Sequence, residues 1–398
     1  MKRQFFDRVH NHLMKPQVNV FGKELPAWGL FFSASVVIAV GSVIPLAIIA
    51  RLPIAPLLIA STCGVASLFV LAFATKIVTG DEVYNFHHYL FIVMLFTGVA
   101  LSLLGQPVLR NLDVIILGIG VSYGCGRYAC LRGGCCYGRP FNWGVCYPSE
   151  YVQHGFPMGL VGVKLFPSQF VESLWMWLSI TVGIICLRSE PGAALAWFIV
   201  LYAVGRFFSD FYRLEAGFCV RGLSEAQIAS IVMTCVVFGA EQMTWLPAQP
   251  IHGAAALLLI IIGIPRLLSK SDYKQLFTTY HVIEIANAVK RADNNRTTFT
   301  QQTSGFDARD LPVQRTSLGL LISAGTICTT TSGSLIHYCI SREGTLRDST
   351  AQGLAKLISI IHGRPGAGSL IKRDRAFHII ISGSSEARQQ NKLQARVE

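Results

Sequence analysis

Arg127 is the first residue that asks for chemistry. It stands fifteen residues after Leu112 in an apolar run, inside the stretch 123–144, which reads YGCGRYACLRGGCCYGRPFNWG. An arginine near a bilayer centre costs about 2.5–3.5 kcal/mol on insertion scales, so it faces a cavity or a partner rather than lipid. A site for an anionic group is the direct reading; an arginine snorkelling from a helix end is the bland one. A second set of charges weighs against the bland reading. Tyr202, Arg206, Asp210 and Arg213 follow one another at i, i+4, i+8 and i+11 in another apolar run, the spacing of one helical stripe. Asp210 can orient Arg206 through a charge-assisted hydrogen bond, and two guanidiniums can clamp one phosphate.

Three further groups belong to the same inventory. Gln169 and Glu172 lie one turn apart at the start of an apolar run, after Pro167 and Ser168. Ser168 reads as a helix cap, and a glutamate in an apolar helix requires a partner, for which an arginine is the natural choice. His87 and His88 open another run, and a histidine titrating near neutrality can accept a thiol proton. Asp113 opens the run that carries Arg127. Cys125, Cys130, Cys135, Cys136 and Cys146 crowd into the centre with spacing C-x4-C-x4-C-C-x9-C. That is not the paired C-x2-C of a zinc ribbon, and no metal is expected; a disulfide and packed or reactive thiols both stay open. Cys135, close in sequence to Arg127 and Arg132, is the expected reactive thiol.

The elements that must position these residues follow from composition. Of 398 residues, 52% are hydrophobic and 14% charged, against about 25% charged in ordinary soluble chains. Apolar runs at 27–50, 54–75, 86–104, 112–129, 167–187, 193–212, 223–240 and 251–268 predict an all-α polytopic membrane protein with about seven or eight spans. The last run is either an eighth span or a helix lying at the interface. Residues 1–26 form an N-terminal interfacial segment with a short hairpin from residue 18, and 27–268 the membrane-embedded domain. Residues 130–166 are a long extramembrane loop. Residues 269–398 are a small soluble α/β domain, with a helix over 349–362 placing Leu354, Leu357, Ile358 and Ile361 on one face. Thr297 opens a linker running to 311, and 363–368 is glycine-rich without a P-loop ending. The net charge of +12 suits anionic headgroups; no nucleic-acid motif accompanies it.

Taken together, the motifs resemble those of the bacterial prolipoprotein diacylglyceryl transferase family. Its signature runs roughly G-R-x-G-N-F-x-N-x-E-x-x-G, and Gly126, Arg127 and Gly138 stand at matching places. Asp113 lies fourteen residues before the arginine, as in the family. Pro167, Ser168, Gln169 and Glu172 match P-S-Q-x-x-E, with Phe166 replacing the usual preceding histidine. Tyr202, Arg206 and Arg213 match Y-x-x-x-R…R, with Asp210 where a glutamate is usual. Leu223, Ser224 and Gln227 match L-S-x-x-Q, and His87 lies forty residues before Arg127, where the family's functional histidine lies. The resemblance spans about residues 16–245. In this branch Cys130 replaces the signature asparagine, Cys135 the glutamate, and Trp28 a tyrosine that usually precedes glycine.

The resemblance implies transfer of a diacylglyceryl group from phosphatidylglycerol to the lipobox cysteine of a prolipoprotein signal peptide. It implies a multi-pass protein of the bacterial cytoplasmic (inner) membrane and no cofactor. His87, Arg127 and Arg206 take the catalytic roles, with His87 as base. Trp28, Asp113, Cys135, Gln169, Glu172, Tyr202, Asp210 and Arg213 join the arginines in holding substrate. The replaced signature residues leave a second class open, a non-catalytic lipid- or lipoprotein-binding protein on the same fold. The family orientation puts the long loop outside; the positive-inside rule, counting the N-terminal segment, that loop and the 213–221 loop, favours the reverse. Several of those charges are site residues, so the family orientation is preferred.

Overall fold

The computed structural model describes residues 15–80, 86–214, 219–220, 223–268, 276–295, 297–300, 312–329, 333–342, 346–364, 368–373 and 376–382. The loop expected around Asp81 and Glu82, Arg221 of the basic loop, most of the expected linker and the centre of 363–368 lie outside the described residues, as do residues 1–14.

The chain enters through a hairpin, β1 (Gln17–Val20) and β2 (Lys23–Pro26), turned at Phe21 and Gly22, both at positive φ. Among the described residues, eight helices follow in the membrane domain: α1 Ala27–Ala50, α2 Ile54–Thr79, α3 Phe86–Leu103, α4 Val108–Gly133, α5 Ser168–Cys186, α6 Ala193–Ser209, α7 Glu225–Gln242 and α8 Pro250–Leu268. Their ends have local causes. Pro26, Pro53 and Pro107 precede α1, α2 and α4, where a missing N–H costs nothing. Arg51, Gly80 and Gly134 close the same helices in the left-handed conformation. The expected capping box opens α7: Ser224 Oγ accepts from the Gln227 amide, and the Gln227 side chain accepts from the Ser224 amide.

Six of these helices, α1 to α5 and α8, are long and apolar enough to cross a membrane. Helix α6 has 17 residues, and α7 lies outside that group. The protein is a polytopic membrane protein with a small C-terminal domain, and its helices carry apolar side chains outward: Val37, Phe73, Ile185 and Ile261 are all exposed. In a bilayer those faces meet lipid, which leaves polar side chains to the interior. Helix α4 is the centre of this domain, packed on α1 and α5, and α5 packs on α6. Gly205 permits the α5–α6 approach, since a Cβ there would lie 2.0 Å from the Trp175 indole nitrogen. Helix α8 is anchored by its buried His252, which pairs with Glu241 of α7 at 2.5 Å.

The second compact unit comprises residues 138–167 together with the chain beyond 271. The short strands β4 (Cys219–Val220) and β5 (Leu223–Ser224) pair in the membrane domain. The sheet of the second unit has the order Gly368–Arg373, Ala376–Ser382, Gly333–Arg342, Leu320–Thr329 and Thr297–Thr300, with β7 (Gln314–Arg315) also on Leu320–Thr329. The pairings between β8 (Leu320–Thr329), β9 (Gly333–Arg342), β11 (Ala376–Ser382) and β10 (Gly368–Arg373) are antiparallel; β6 (Thr297–Thr300) joins β8 in parallel. Helices α9 (Thr279–Asn294) and α10 (Asp348–Ile361) complete it. The expected apolar face of α10 is buried: Leu354, Leu357, Ile358 and Ile361 all face the core. The long loop is ordered by strand β3 (Pro140–Val145) and two 3-10 turns, and it packs on α9. Lys290 Nζ donates to the carbonyls of Val161 and Met158 at 2.7 and 3.1 Å. Gly159 lies against Asn287, whose amide nitrogen would be 2.6 Å from a Cβ at that glycine.

This association fixes a parity. The loop leaves the bundle after α4 and the tail leaves after α8, yet the two pack as one unit. On this packing, helices α5 to α8 are expected to cross the bilayer an even number of times, with the tail on the same side as the loop. Single cysteines introduced at His154 and Tyr280, both exposed, are expected to label with a membrane-impermeant maleimide from the same face of sealed vesicles. Labelling from opposite faces would refute the parity.

Candidate active site

The site is built around one carboxylate. Glu172 is on the first turns of α5, with only 4% of its side chain exposed. Arg127 of α4 reaches its Oε2 at 2.7 Å, and Arg206 of α6 reaches Oε1 at 3.0 Å. Arg213 donates to Oε1 at 3.2 Å. Ser209 Oγ donates to Oε1 at 3.1 Å and Tyr123 Oη to Oε2 at 3.0 Å. Three guanidiniums thus converge on one anion in an apolar bundle, where an uncompensated charge is costly. Asp210 supplies a second anion, 3.0 Å from Arg206. The expected single helical stripe is corrected here. Helix α6 ends at Ser209, Asp210 is its C-terminal cap, and Arg213 lies in the turn beyond. The helix end folds Arg213 back onto Glu172, which a continued helix would not do.

A cavity of about 450 Å³ opens over this cluster. Trp28, His87, Arg127, Cys135, Tyr202, Arg206, Asp210 and Arg213 line it, so most of the sequence-derived site residues share one space. Much of the remaining lining is apolar, Val40, Leu68 and Val93 among it. Arg127 donates to the Tyr123 hydroxyl and lies over its ring, 4.2 Å from the centroid. The buried Nε of Arg127 and the buried hydroxyl of Tyr202 have no hydrogen-bond partner among the described residues. Buried donors are normally satisfied, so two orphans at one cavity suit a polar ligand. His87 Nε2 lies 3.1 Å from Glu225 Oε1, and His88 Nε2 lies 3.0 Å from the same oxygen.

Three expected substrate contacts lie outside the cavity lining: Glu172, whose oxygens are taken up by the guanidiniums, Asp113 and Gln169. Asp113 is buried at the opposite end of α4, about 21 Å along the helix from Arg127. Its two oxygens accept from the Gly192 and Leu195 amides, both at 2.8 Å, and so cap α6. Gln169 stands behind the cavity and donates to the carbonyl of Cys135 at 2.7 Å. Ser168, expected to cap its own helix, donates to the carbonyl of Cys136 at 2.6 Å. The P-S-Q motif therefore holds the turn that follows α4.

That turn corrects the reading of Cys135. The clustered cysteines are thiols in the structure. Hydrogen bonding to Cys130 and Cys136, then burial, push the Cys135 thiol up from its ordinary value. Cys136 is the acidic thiol, lowered by hydrogen bonds from Cys130 and Cys135 and by Arg213 and Arg127. Cys136 adopts a left-handed backbone at φ 57. Sequence reasoning missed Tyr123 and Glu225. Tyr123 sits one turn before Arg127, a spacing that could have found it; Glu225 looks like an ordinary acidic first-turn residue.

Residues 85–242 match the family model described as Prolipoprotein diacylglyceryl transferase. Three relatives carry the name phosphatidylglycerol–prolipoprotein diacylglyceryl transferase. Transferase 2 of Clostridium perfringens (strain 13 / Type A) is 30% identical over 143 residues, 34% of this chain and 52% of that protein. The protein of Clostridium tetani (strain Massachusetts / E88) is 27% identical over 31% of this chain and 49% of its own length. That of Symbiobacterium thermophilum is 26% identical over 36% of this chain and 54% of its own length. The chain spans about half the length of the curated relatives it matches. The matched segment holds His87, Arg127, Glu172, Arg206 and Arg213. Over residues 85–242, the segment that carries the site, the chain is similar to the prolipoprotein diacylglyceryl transferase family.

Proposed function

We propose that the protein transfers a diacylglyceryl group from phosphatidylglycerol to the lipobox cysteine thiol of a prolipoprotein, in the bacterial cytoplasmic membrane. The observation that carries this reading is the cavity over the Glu172 cluster, which is lined by many apolar side chains and by the guanidiniums of Arg127, Arg206 and Arg213. Such a lining suits both acyl chains and a phosphodiester. In the reaction the thiol loses its proton to a base, and His87 is the candidate, faced by Glu225. The thiolate attacks the terminal glyceryl carbon. A carbon–sulfur bond forms, the carbon–oxygen bond to phosphate breaks, and glycerol phosphate leaves with the electron pair. Arg127 and Arg206 face the charge that develops on the leaving group. Glu172 does not touch substrate; it holds the guanidiniums in place before substrate arrives. The transferase reading is assigned to residues 27–268, with 1–26 at the interface and 269–398 as the soluble domain.

A second reading, a lipid- or lipoprotein-binding protein without turnover, is favoured by one observation: Cys130 and Cys135 stand at the signature asparagine and glutamate positions. Complementation of a strain lacking the transferase separates the two. Growth with mature lipoproteins is expected, and its absence alongside intact membrane insertion would favour binding alone.

The arginine variants test the mechanism. Arg127→Ala and Arg206→Ala should each lower thioether formation on a lipobox peptide in phosphatidylglycerol vesicles by at least about 10²-fold. Lysine at either position should rescue poorly, because it lacks the planar fork. Turnover at the parental rate in either alanine variant would exclude the two-arginine mechanism. Glu172→Gln should reduce stability by about 3–5 kcal/mol, because three buried guanidiniums lose their shared anion. The check is a denaturation series in detergent, with retained stability refuting the hub role.

A further inference from the structure

Cys130, Cys135 and Cys136 are far enough apart in sequence spacing to miss any zinc-ribbon pattern, but the fold gathers them. Cys130 lies on the last turns of α4, and the other two lie in the turn that follows it. The three sulfur atoms all lie within 4.8 Å of one another. In a tetrahedral zinc–thiolate site, with Zn–S near 2.3 Å, the sulfurs are about 3.8 Å apart. All three cysteines also line the cavity.

The turn is held as a ligand loop is held. Its two carbonyls are fixed by Ser168 Oγ and Gln169 Nε2 at 2.6 and 2.7 Å, from the start of α5. Cys136 occupies the left-handed region at φ 57, which costs a non-glycine residue about 1–2 kcal/mol and persists only where the surroundings impose it. Arg127 Nη1 lies 4.0 Å from Cys130 Sγ. Outer contacts of this kind orient ligands and stabilise the thiolate form.

We propose that Cys130, Cys135 and Cys136 bind one zinc ion through their thiolates, with the fourth coordination position open to the cavity for an incoming substrate thiol. Soft sulfur donors select zinc among common divalent ions, and three protein ligands leave the open position of a catalytic site. A thiol that coordinates zinc is deprotonated outright. The S–H bond breaks, a Zn–S bond forms, and the proton passes to a base facing the cavity, where His87 stands. The bound thiolate then supplies the electron pair for the new S–C bond. The metal site stands on the cysteine geometry; the identity of the fourth ligand rests on the transferase reading above.

The test uses the full-length protein purified in detergent with zinc present. About one zinc per chain is expected by elemental analysis, with a thiolate-to-metal charge-transfer band after exchange for cobalt. Cys130→Ser, Cys135→Ser and Cys136→Ser should each weaken zinc binding by about tenfold or more. Cys63→Ser, on the exposed face of α2, should leave it unchanged and controls for folding. A lipobox peptide should intensify the cobalt band, and the same peptide with serine at its cysteine should not. Absent metal, metal retained in all three serine variants, or a disulfide mass restored by reductant would overturn the site. A cobalt band indifferent to the peptide would overturn the open position. Full transfer by zinc-free protein would overturn the inference while leaving the transferase reading intact. Zinc bound without any transfer would do the reverse.

Discussion

The placement of one carboxylate among three guanidiniums governs the membrane domain. Glu172 lies on α5, Arg127 on α4, Arg206 on α6 and Arg213 just past α6, so a single anion ties together three successive segments. In an apolar bundle the like-charged guanidiniums repel one another at low dielectric, and only the shared anion makes their convergence favourable. Its oxygens are fully used by the arginines, Ser209 and Tyr123. Donors left over, the Nε of Arg127 and the hydroxyl of Tyr202, lie at the cavity. The cluster spends its anion on holding cations and presents the remaining donors to whatever enters. That division of labour is preorganisation in the electrostatic sense.

Packing serves this arrangement. Glycine at 205 sits one residue before Arg206 and lets α6 approach the Trp175 ring of α5, the helix that carries Glu172. Trp175 in turn donates to the Leu201 carbonyl at 2.7 Å, which fixes the rotation of one helix against the other. At the far end Asp113 ties α4 to the start of α6. Helices α4 and α6 are thus joined at both ends, by a cap at one and by the Glu172 cluster at the other. A buried aspartate in the same apolar run as a functional arginine need not share its site.

That pair of residues shows what was legible beforehand. Arg127, Glu172 and Arg206 each carry a full charge in an apolar run, and the cost of that charge made them visible without any structure. Asp113 was visible for the same reason but was assigned to substrate, because cost alone does not say whether a helix N-terminus or a ligand meets it. Tyr123 carried only the weaker signal of its spacing one turn before Arg127, since a tyrosine in a span costs little until its hydroxyl is buried. The helices were legible from apolar run lengths, and the end of α6 at Ser209 was not, because nothing in that run breaks the helical pattern. The union of the 138–167 loop with the tail was also hidden. It depends on contacts such as Gly159 on Asn287, between residues over a hundred positions apart, which no local pattern announces.

The cysteine-rich turn completes the argument about the site. A glutamate at position 135 and an asparagine at position 130 would add polar oxygens beside the arginines; this chain places sulfur at both and adds a third at 136. Here Ser168 and Gln169 still hold both carbonyls of the turn, and Cys136 is kept in a strained left-handed conformation that directs it toward its neighbours. The strain and the supports oppose one another energetically, and their coexistence means the turn's geometry matters more than the comfort of its backbone. The arginines around it remain in place, so the positive field that suited oxygen acceptors now faces sulfur. A field of that sign favours thiolates over thiols, and thiolates are both nucleophiles and ligands. The substitution thus alters which chemistry the turn can support while leaving intact the charge cluster that positions it.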